Sequence, residues 1–183
     1  MFKIGRRKFE IARREFSAHV SVGERGWSAS WTIEVYSRPL ELADMRWEPV
    51  LRSHSELSDL PHPLELSGKM VGPIANDERG EPAFLLYDFE HDPINEPILR
   101  FKERKGSKFL FEFRGRAPNF TDVDDDRIVF VSIDCWLPFN GVRVDEFQLE
   151  KANQRLRQVF GSNGWPDPVR DGNLWHYKLR PDA

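Results

Sequence analysis

Cysteine is almost missing from this sequence, since Cys135 is the only one among 183 residues. A single thiol excludes an intramolecular disulfide and any metal cluster built from several cysteines. Membrane and secretion signals are missing as well: no window approaches the roughly 18 apolar residues of a membrane helix, and the basic segment 1–16 has no apolar core. These absences predict a soluble protein of the cytoplasm that does not enter a membrane.

Sequence motifs that carry known chemistry are missing too. There is no nucleophile elbow, no phosphate-binding glycine loop, no dinucleotide fingerprint and no paired-histidine zinc motif. The five histidines stand apart along the chain, at His19, His54, His62, His91 and His176. The sequence therefore predicts no cofactor and favours a protein that is not an enzyme. The formal net charge of −3 also argues against nucleic-acid binding through overall charge.

Aromatic residues, by contrast, are plentiful. The chain has 14 Phe and 6 Trp, and hydrophobic residues make up 39% of it. That is more bulky apolar material than a disordered chain carries, so we expect a sizeable core. The length fits one globular domain that spans residues 1–183.

Alternation between apolar and polar residues predicts two hairpins. The first covers residues 16–36, with glycines around its turn, and the second covers residues 99–114, with a turn at Lys105-Gly106. Each strand then has one buried face and one wet face. Before the first hairpin the apolar residues have odd numbers, whereas in its first strand they have even numbers, so the buried face changes. This change predicts either a bulge near residues 13–15 or an edge strand.

A different pattern over residues 128–137 predicts a central strand. Apolar residues occupy both of its faces, as is usual for strands with neighbours on both sides. Pro138 is expected to end this strand, and Asn140-Gly141 suits a tight turn. Asp134 stands on the less apolar face and is a candidate for a buried, hydrogen-bonded acid, with structural pairing favoured over catalysis.

Only one segment has persuasive helical periodicity, residues 146–160. Asp145 is the expected N-cap, Gln148 stands where a capping-box partner belongs, and Gly161 is placed to end the helix. Many short strands followed by one helix predict a mainly β, β-rich α+β fold. We expect an antiparallel sandwich or a strongly curved sheet, with the C-terminal helix packed on it.

The second hairpin is strongly basic and is the first candidate binding site. Alternation places its cations on an outer face: Arg100, Lys102, Arg104, Lys108 and Arg114. Such a face suits an acidic partner or phosphate groups. The alternative is a solvated edge that prevents sheets from associating. The phenylalanines of this hairpin are predicted to point inward. This argues against a nucleic-acid surface, because such a surface normally exposes aromatic side chains among its cations.

An acidic segment is the second candidate site. On one strand, Asp88, Glu90 and Asp92 share a face beside His91, in steps of about 7 Å. Carboxylates so arranged suit a hard metal cation, and the alternative is a solvated strand end.

Three functions follow as hypotheses. The leading one is a non-catalytic binding protein with a protein partner, of the kind seen in bacterial immunity or accessory proteins that neutralise a partner through a charged face. The second is a metal-dependent enzyme with an acidic site around Asp88, Glu90 and His91. The third is a nucleic-acid binder that uses the basic hairpin.

Overall fold

A computed structural model of the chain describes residues 1–23, 26–42, 45–53, 60–77, 79–88, 91–118, 128–162 and 164–180. The strands are β1 (Phe2–Ile4), β2 (Arg7–Phe9), β3 (Ile11–Gly23), β4 (Gly26–Ser37), β5 (Leu40–Leu42), β6 (Met45–Trp47), β7 (Val50–Ser53), β8 (Met70–Val71), β9 (Phe84–Tyr87), β10 (His91–Pro93), β11 (Asn95–Lys105), β12 (Lys108–Pro118), β13 (Ile128–Asp145), β14 (Val169–Asp171) and β15 (Leu174–Tyr177). The helices are α1 (Leu149–Phe160) and a short 3-10 helix (Pro63–Glu65).

Most of these strands form one strongly curled mixed sheet, in the order β10-β9-β7-β4-β3-β13-β12-β11-β8. Neighbours that the structure describes are antiparallel, except β3 and β13, which run parallel. The predicted β-rich fold with a strongly curved sheet and one helix is therefore confirmed. Because β3 and β13 run parallel, the curved sheet is mixed and not wholly antiparallel.

Strand β13 connects the two halves of this sheet. Its first part pairs with β12 on one side and with β1 on the other, and its last part pairs with β3 and β15. Pro138 does not end it, because Pro138 lies opposite Lys108, the first residue of β12, where the ladder stops and a missing N–H costs little. Asn140-Gly141 is a register shift inside β13 and not the predicted turn.

Both predicted hairpins are present. Gly23 lies opposite Gly26 at the end of the β3–β4 hairpin, and Lys105 lies opposite Lys108 at the end of the β11–β12 hairpin. The predicted change of face before the first hairpin coincides with a register shift between Ile11 and Arg13. Alternation was a reliable guide here because each strand has one face in the core.

Helix α1 begins at Leu149, later than the sequence predicts. Asp145 is the last residue of β13 and pairs with Leu174 of β15, so it is not the N-cap. Gln148 occupies the N-cap position without a side-chain hydrogen bond, and Gly161 ends the helix as predicted. None of the helices in the described ranges has the length and apolar character needed to cross a membrane.

The inner face of the sheet is filled with aromatic rings. The Phe16 ring lies 5.3 Å from that of Trp31 and 5.5 Å from that of Phe101, measured between centroids. Helix α1 covers this side of the sheet, with Phe160 set edge-on to Trp31 at 5.6 Å. The rings that give the chain its core are therefore unavailable to a ligand, and the opposite side of β11, β12 and β13 faces solvent.

Candidate functional site

The solvent side of β1, β2, β11, β12 and β13 gathers most of the predicted binding residues. Because β12 is central to this region and its phenylalanines point into the core, the side chains between them point outward. We call this surface the outer face. Its cationic residues outnumber its acidic ones: Lys3, Lys8, Arg100, Lys102, Lys105, Lys108, Arg114 and Arg116 against Glu96, Glu103, Glu112 and Asp134.

Lys102 holds two carboxylates together at the centre of the outer face. Its Nζ lies 2.9 Å from Oε2 of Glu112 and 2.8 Å from Oδ2 of Asp134. Hydrogen bonds to Asp134 and Glu112 raise the pKa of Lys102, and the bond from Lys102 lowers the pKa of Glu112 against the opposing effect of burial. Arg114 Nε adds a 2.7 Å hydrogen bond to Glu112. These carboxylates are thus already neutralised by the protein.

Beside this cluster the outer face opens into a cleft of about 410 Å³. Register places Lys3 of β1, Ser132 of β13 and Arg114 of β12 in one row across three strands. The short Ser132 side chain lies between two long cationic ones, and this difference in length makes the hollow. The lining residues are Met1, Lys3, Glu112, Arg114, Phe130, Val131, Ser132, Ile133 and Asp134.

Phe130 borders the cleft and is 67% exposed. The guanidinium carbon of Arg116 lies 5.4 Å from the centre of its ring, a cation–π contact. Ile128, two residues earlier on the same side of β13, is 58% exposed. Both belong to the segment predicted from its sequence to be buried on two sides, so neither was expected at a binding surface. Ile128 and Phe130 share one face of β13 with Ser132 and Asp134. The two polar residues were the sequence signal that this face contacts solvent.

No protein-family model matches this chain, and neither a curated protein nor a solved structure is significantly similar to it. Function is therefore inferred from the outer face itself.

Four of the five predicted binding residues, Arg100, Lys102, Lys108 and Arg114, lie on the outer face. The predicted outward placement is wrong for Arg104. A register shift between Phe101 and Glu103 makes Lys102 an extra residue in β11, so Arg104 lies opposite the buried Phe109 on the core side. There, Arg104 Nε donates to the carbonyl of Gly106 at 2.7 Å, and burial lowers the pKa of Arg104.

The interpretation of Asp134 as a buried acid is also wrong, since its side chain is 57% exposed. β13 has neighbours on both edges, yet the described residues leave its outer side open to solvent at Asp134. The expected structural pairing is present, with Lys102 as the partner. Central position in a sheet therefore does not imply burial of both faces.

The acidic segment is not one strand, which corrects the predicted alignment of its carboxylates. The chain reverses after β9, so that His91 of β10 lies opposite Tyr87, while Glu90 falls outside the described residues. Asp88 follows β9 directly; its Oδ1 accepts a 3.2 Å hydrogen bond from the Glu48 backbone, and burial raises the pKa of Asp88. Asp92 lies on β10, and within the described ranges no three metal-ligating side chains gather in one place.

Proposed function

We propose that this chain is a non-catalytic binding protein whose outer face docks onto an acidic surface of a protein partner. One observation carries the proposal: the outer face has an excess of cations on a chain whose formal net charge is −3. Lys3, Lys8, Arg100 and Lys108 have no ion-pair partner among the described side chains. Their charge is thus available to steer and hold an anionic partner.

Apolar groups support a protein partner in particular. Protein interfaces combine a central aromatic and arginine anchor with a polar rim, and the pair of Phe130 and Arg116 has that composition. Lys102, at the centre of the face, is already bound to Glu112 and Asp134, so the centre offers a run of closely spaced phosphates no unpaired ammonium. A bacterial immunity or accessory protein that neutralises an acidic partner would use such a face.

The experiment is affinity capture from bacterial lysate with charge-reversed variants. Lys3→Glu/Arg100→Glu removes two unpaired cations of the outer face, and Lys151→Glu/Lys178→Glu makes the same change of net charge elsewhere, at exposed positions of α1 and beyond β15. We expect the natural chain and the control to retain a protein that the outer-face variant loses. Equal retention by all three would refute the proposal, as would retention that disappears after nuclease treatment of the lysate.

A further inference from the structure

Within the proposed binding function, and resting on it, we infer that the cleft over Ser132 receives one acidic side chain of the partner. The carboxylate lies between Lys3 and Arg114, and an aromatic side chain of the same segment rests on Phe130. The occupant is thus an extended acidic peptide segment with an aromatic residue two positions from a carboxylate.

The row across the strands fits one carboxylate. Lys3 pairs with Ser132 and Ser132 pairs with Arg114, so the cations are separated by two strand spacings, about 10 Å between backbones. The Lys3 side chain is long enough to bend over the gap. The Arg114 guanidinium is bound to Glu112 through Nε and Nη2 and keeps its Nη1 donors for a ligand, while the Ser132 hydroxyl offers a donor at the floor of the cleft. A carboxylate there accepts from two cations and one hydroxyl, which is the arrangement that charge-assisted hydrogen bonds favour.

Phe130 fixes what stands next to that carboxylate. Residues 130 and 132 are neighbours on the same side of β13, about 7 Å apart. An extended peptide has the same repeat, so residues two apart in its sequence meet Ser132 and Phe130 in turn. Aromatic stacking on an exposed ring that already carries the Arg116 guanidinium adds apolar contact that a carboxylate alone lacks.

The other end of the cleft decides on which side of the carboxylate the aromatic residue lies. Glu112 and Asp134 line that end and are already bound to Lys102. A second carboxylate placed there would find no unpaired ammonium, because Lys102 is already bound to both acids. The acidic residue is therefore held at the middle of the cleft, with the aromatic residue on the Phe130 side.

The test is an NMR titration of the ¹⁵N-labelled chain with a peptide of sequence Gly-Ser-Glu-Ser-Phe-Ser-Gly with blocked ends. We expect shifts that center on Lys3, Arg114, Phe130 and Ser132, and binding that weakens as salt is added. A peptide with Gln in place of Glu should bind at least about fivefold more weakly, because its amide carries no negative charge to pair with Lys3 and Arg114. A fivefold loss corresponds to about 1 kcal/mol of binding free energy. Equal binding of the two peptides, or shifts confined to another surface, would overturn the inference.

Two variants check the geometry of the cleft. Ser132→Val fills its floor with a side chain that suits a strand, and we expect at least about fivefold weaker peptide binding. Ser28→Val makes the same change at an exposed position of β4 and should leave binding unchanged. Equal effects of both variants would overturn the inference, and the spectrum of each variant away from the substitution shows whether it is folded.

A titration with oligothymidylate tests whether the cleft binds a nucleic acid in place of a peptide. If it shifts the cleft residues and the peptide does not, the peptide assignment is overturned in favour of a nucleic acid. If neither ligand binds while lysate capture still depends on Lys3 and Arg100, the cleft inference fails and the proposed docking function stands.

Discussion

At the scale of single residues, Lys102 shows how one inserted position organises a surface. As the extra residue of a bulge in β11, it reaches two carboxylates on two different strands, Glu112 of β12 and Asp134 of β13. Without the bulge, strict alternation would still place Lys102 on the outer face, but it would bring Arg104 there as well and turn Glu103 toward the core. The shared ammonium keeps the acids from opposing an anionic partner.

Replacing this ammonium should therefore release Glu112. We expect Lys102→Met to raise the pKa of Glu112, because the hydrogen bond from Lys102 is the main cause of its depressed pKa. Stability at neutral pH should fall by about 0.5–1 kcal/mol, as is usual for a partly exposed pair. A ¹³C carboxyl NMR titration measures the pKa. Lys105→Met, which removes the partner of the exposed Glu103, is the control and should leave Glu112 unchanged.

The sign of the pH dependence follows from the same shift. A carboxyl with a depressed pKa in the folded state contributes stability above its ordinary value of 4.5, and that stability is lost as pH falls through the folded pKa. Urea unfolding should thus show a larger acid-induced loss in the natural chain than in Lys102→Met. An equal loss in both would contradict the assigned role of Lys102.

His62 makes a second pH-dependent contribution. Its Nδ1 accepts a 3.0 Å hydrogen bond from the Leu64 backbone, which places the proton of the neutral ring on Nε2. That nitrogen is buried without a partner in the described part of the chain, near the Phe160 and Trp165 rings. Protonating Nδ1 would remove the acceptor at the start of the 3-10 helix. Burial, with a smaller effect of the Arg104 charge, lowers the pKa of His62, although Glu65 opposes this.

Stability linked to His62 should be lost on acidification. Since the folded pKa lies below the ordinary value of 6.5, the unfolded chain binds the proton first as pH falls below that value. His62→Asn keeps an oxygen that can accept from Leu64 and does not titrate. We expect the variant to lose less unfolding free energy than the natural chain between pH 7.5 and 5.5, measured in urea. The same loss in both proteins would show that His62 is not the titrating group.

The face of the sheet on which a residue lies was predicted correctly where apolar and polar residues alternate strictly, and wrongly where that alternation is interrupted. Arg100, Lys108 and Arg114 were placed correctly because each is separated from a core phenylalanine by one position. Arg104 was misplaced because residues 102–105 are all charged, so no apolar residue there marks the bulge after Phe101. Asp134 was misjudged because a sequence does not show what covers the far side of a sheet.

At the scale of elements, β13 depends on a glycine where it changes partners. Gly141 has φ +113°, and a Cβ added there would lie 2.3 Å from the carbonyl oxygen of Tyr177. Close approach of β15 to β13 therefore leaves no room for a side chain. We expect Gly141→Ala to destabilise the fold by about 3 kcal/mol in urea unfolding, since both backbone strain and a backbone clash must be relieved.

A matched glycine separates these two costs. Gly26 has a closely similar φ of +109°, but a Cβ added there would contact no described residue within 4 Å. Gly26→Ala should cost only about 1 kcal/mol, the penalty of a left-handed backbone. If both variants lose the same stability, the contact with β15 has no role in the bend of β13.

The start of helix α1 shows a limit of local signals. Asp145 and Gln148 have capping-box spacing, yet Asp145 is held in β13 by its pairing with Leu174. That pairing partner lies far ahead in the sequence, so no local window contains it. Residues 152, 156 and 160 nevertheless form the buried side of the helix, and all three belong to the helical periodicity that predicted this segment.

At the scale of the whole molecule, the fold is held by pairings between distant parts of the chain. β1, near the start, pairs with residues 131–133 of β13, and β3 runs parallel to its last part. Hairpins were predictable because their strands are adjacent in sequence and a turn fixes their register. The parallel contact was not, because nothing in a single sequence states which distant strands become neighbours.

This arrangement implies that β13 is released only when the whole sheet unfolds. Cys135 lies on the core side of β13, opposite Phe111, with 7% exposure, and burial raises the pKa of its thiol. We expect a thiol reagent at pH 8 to label Cys135 so slowly that the free energy of opening equals the global unfolding free energy within about 1 kcal/mol. As a control, Cys135→Ala/Ser28→Cys moves the thiol to an exposed position of β4 and should react without unfolding. Opening of Cys135 at a cost well below the global value would mean that the two halves of the sheet separate along β13, and the chain would then not unfold as the single domain that its length predicts.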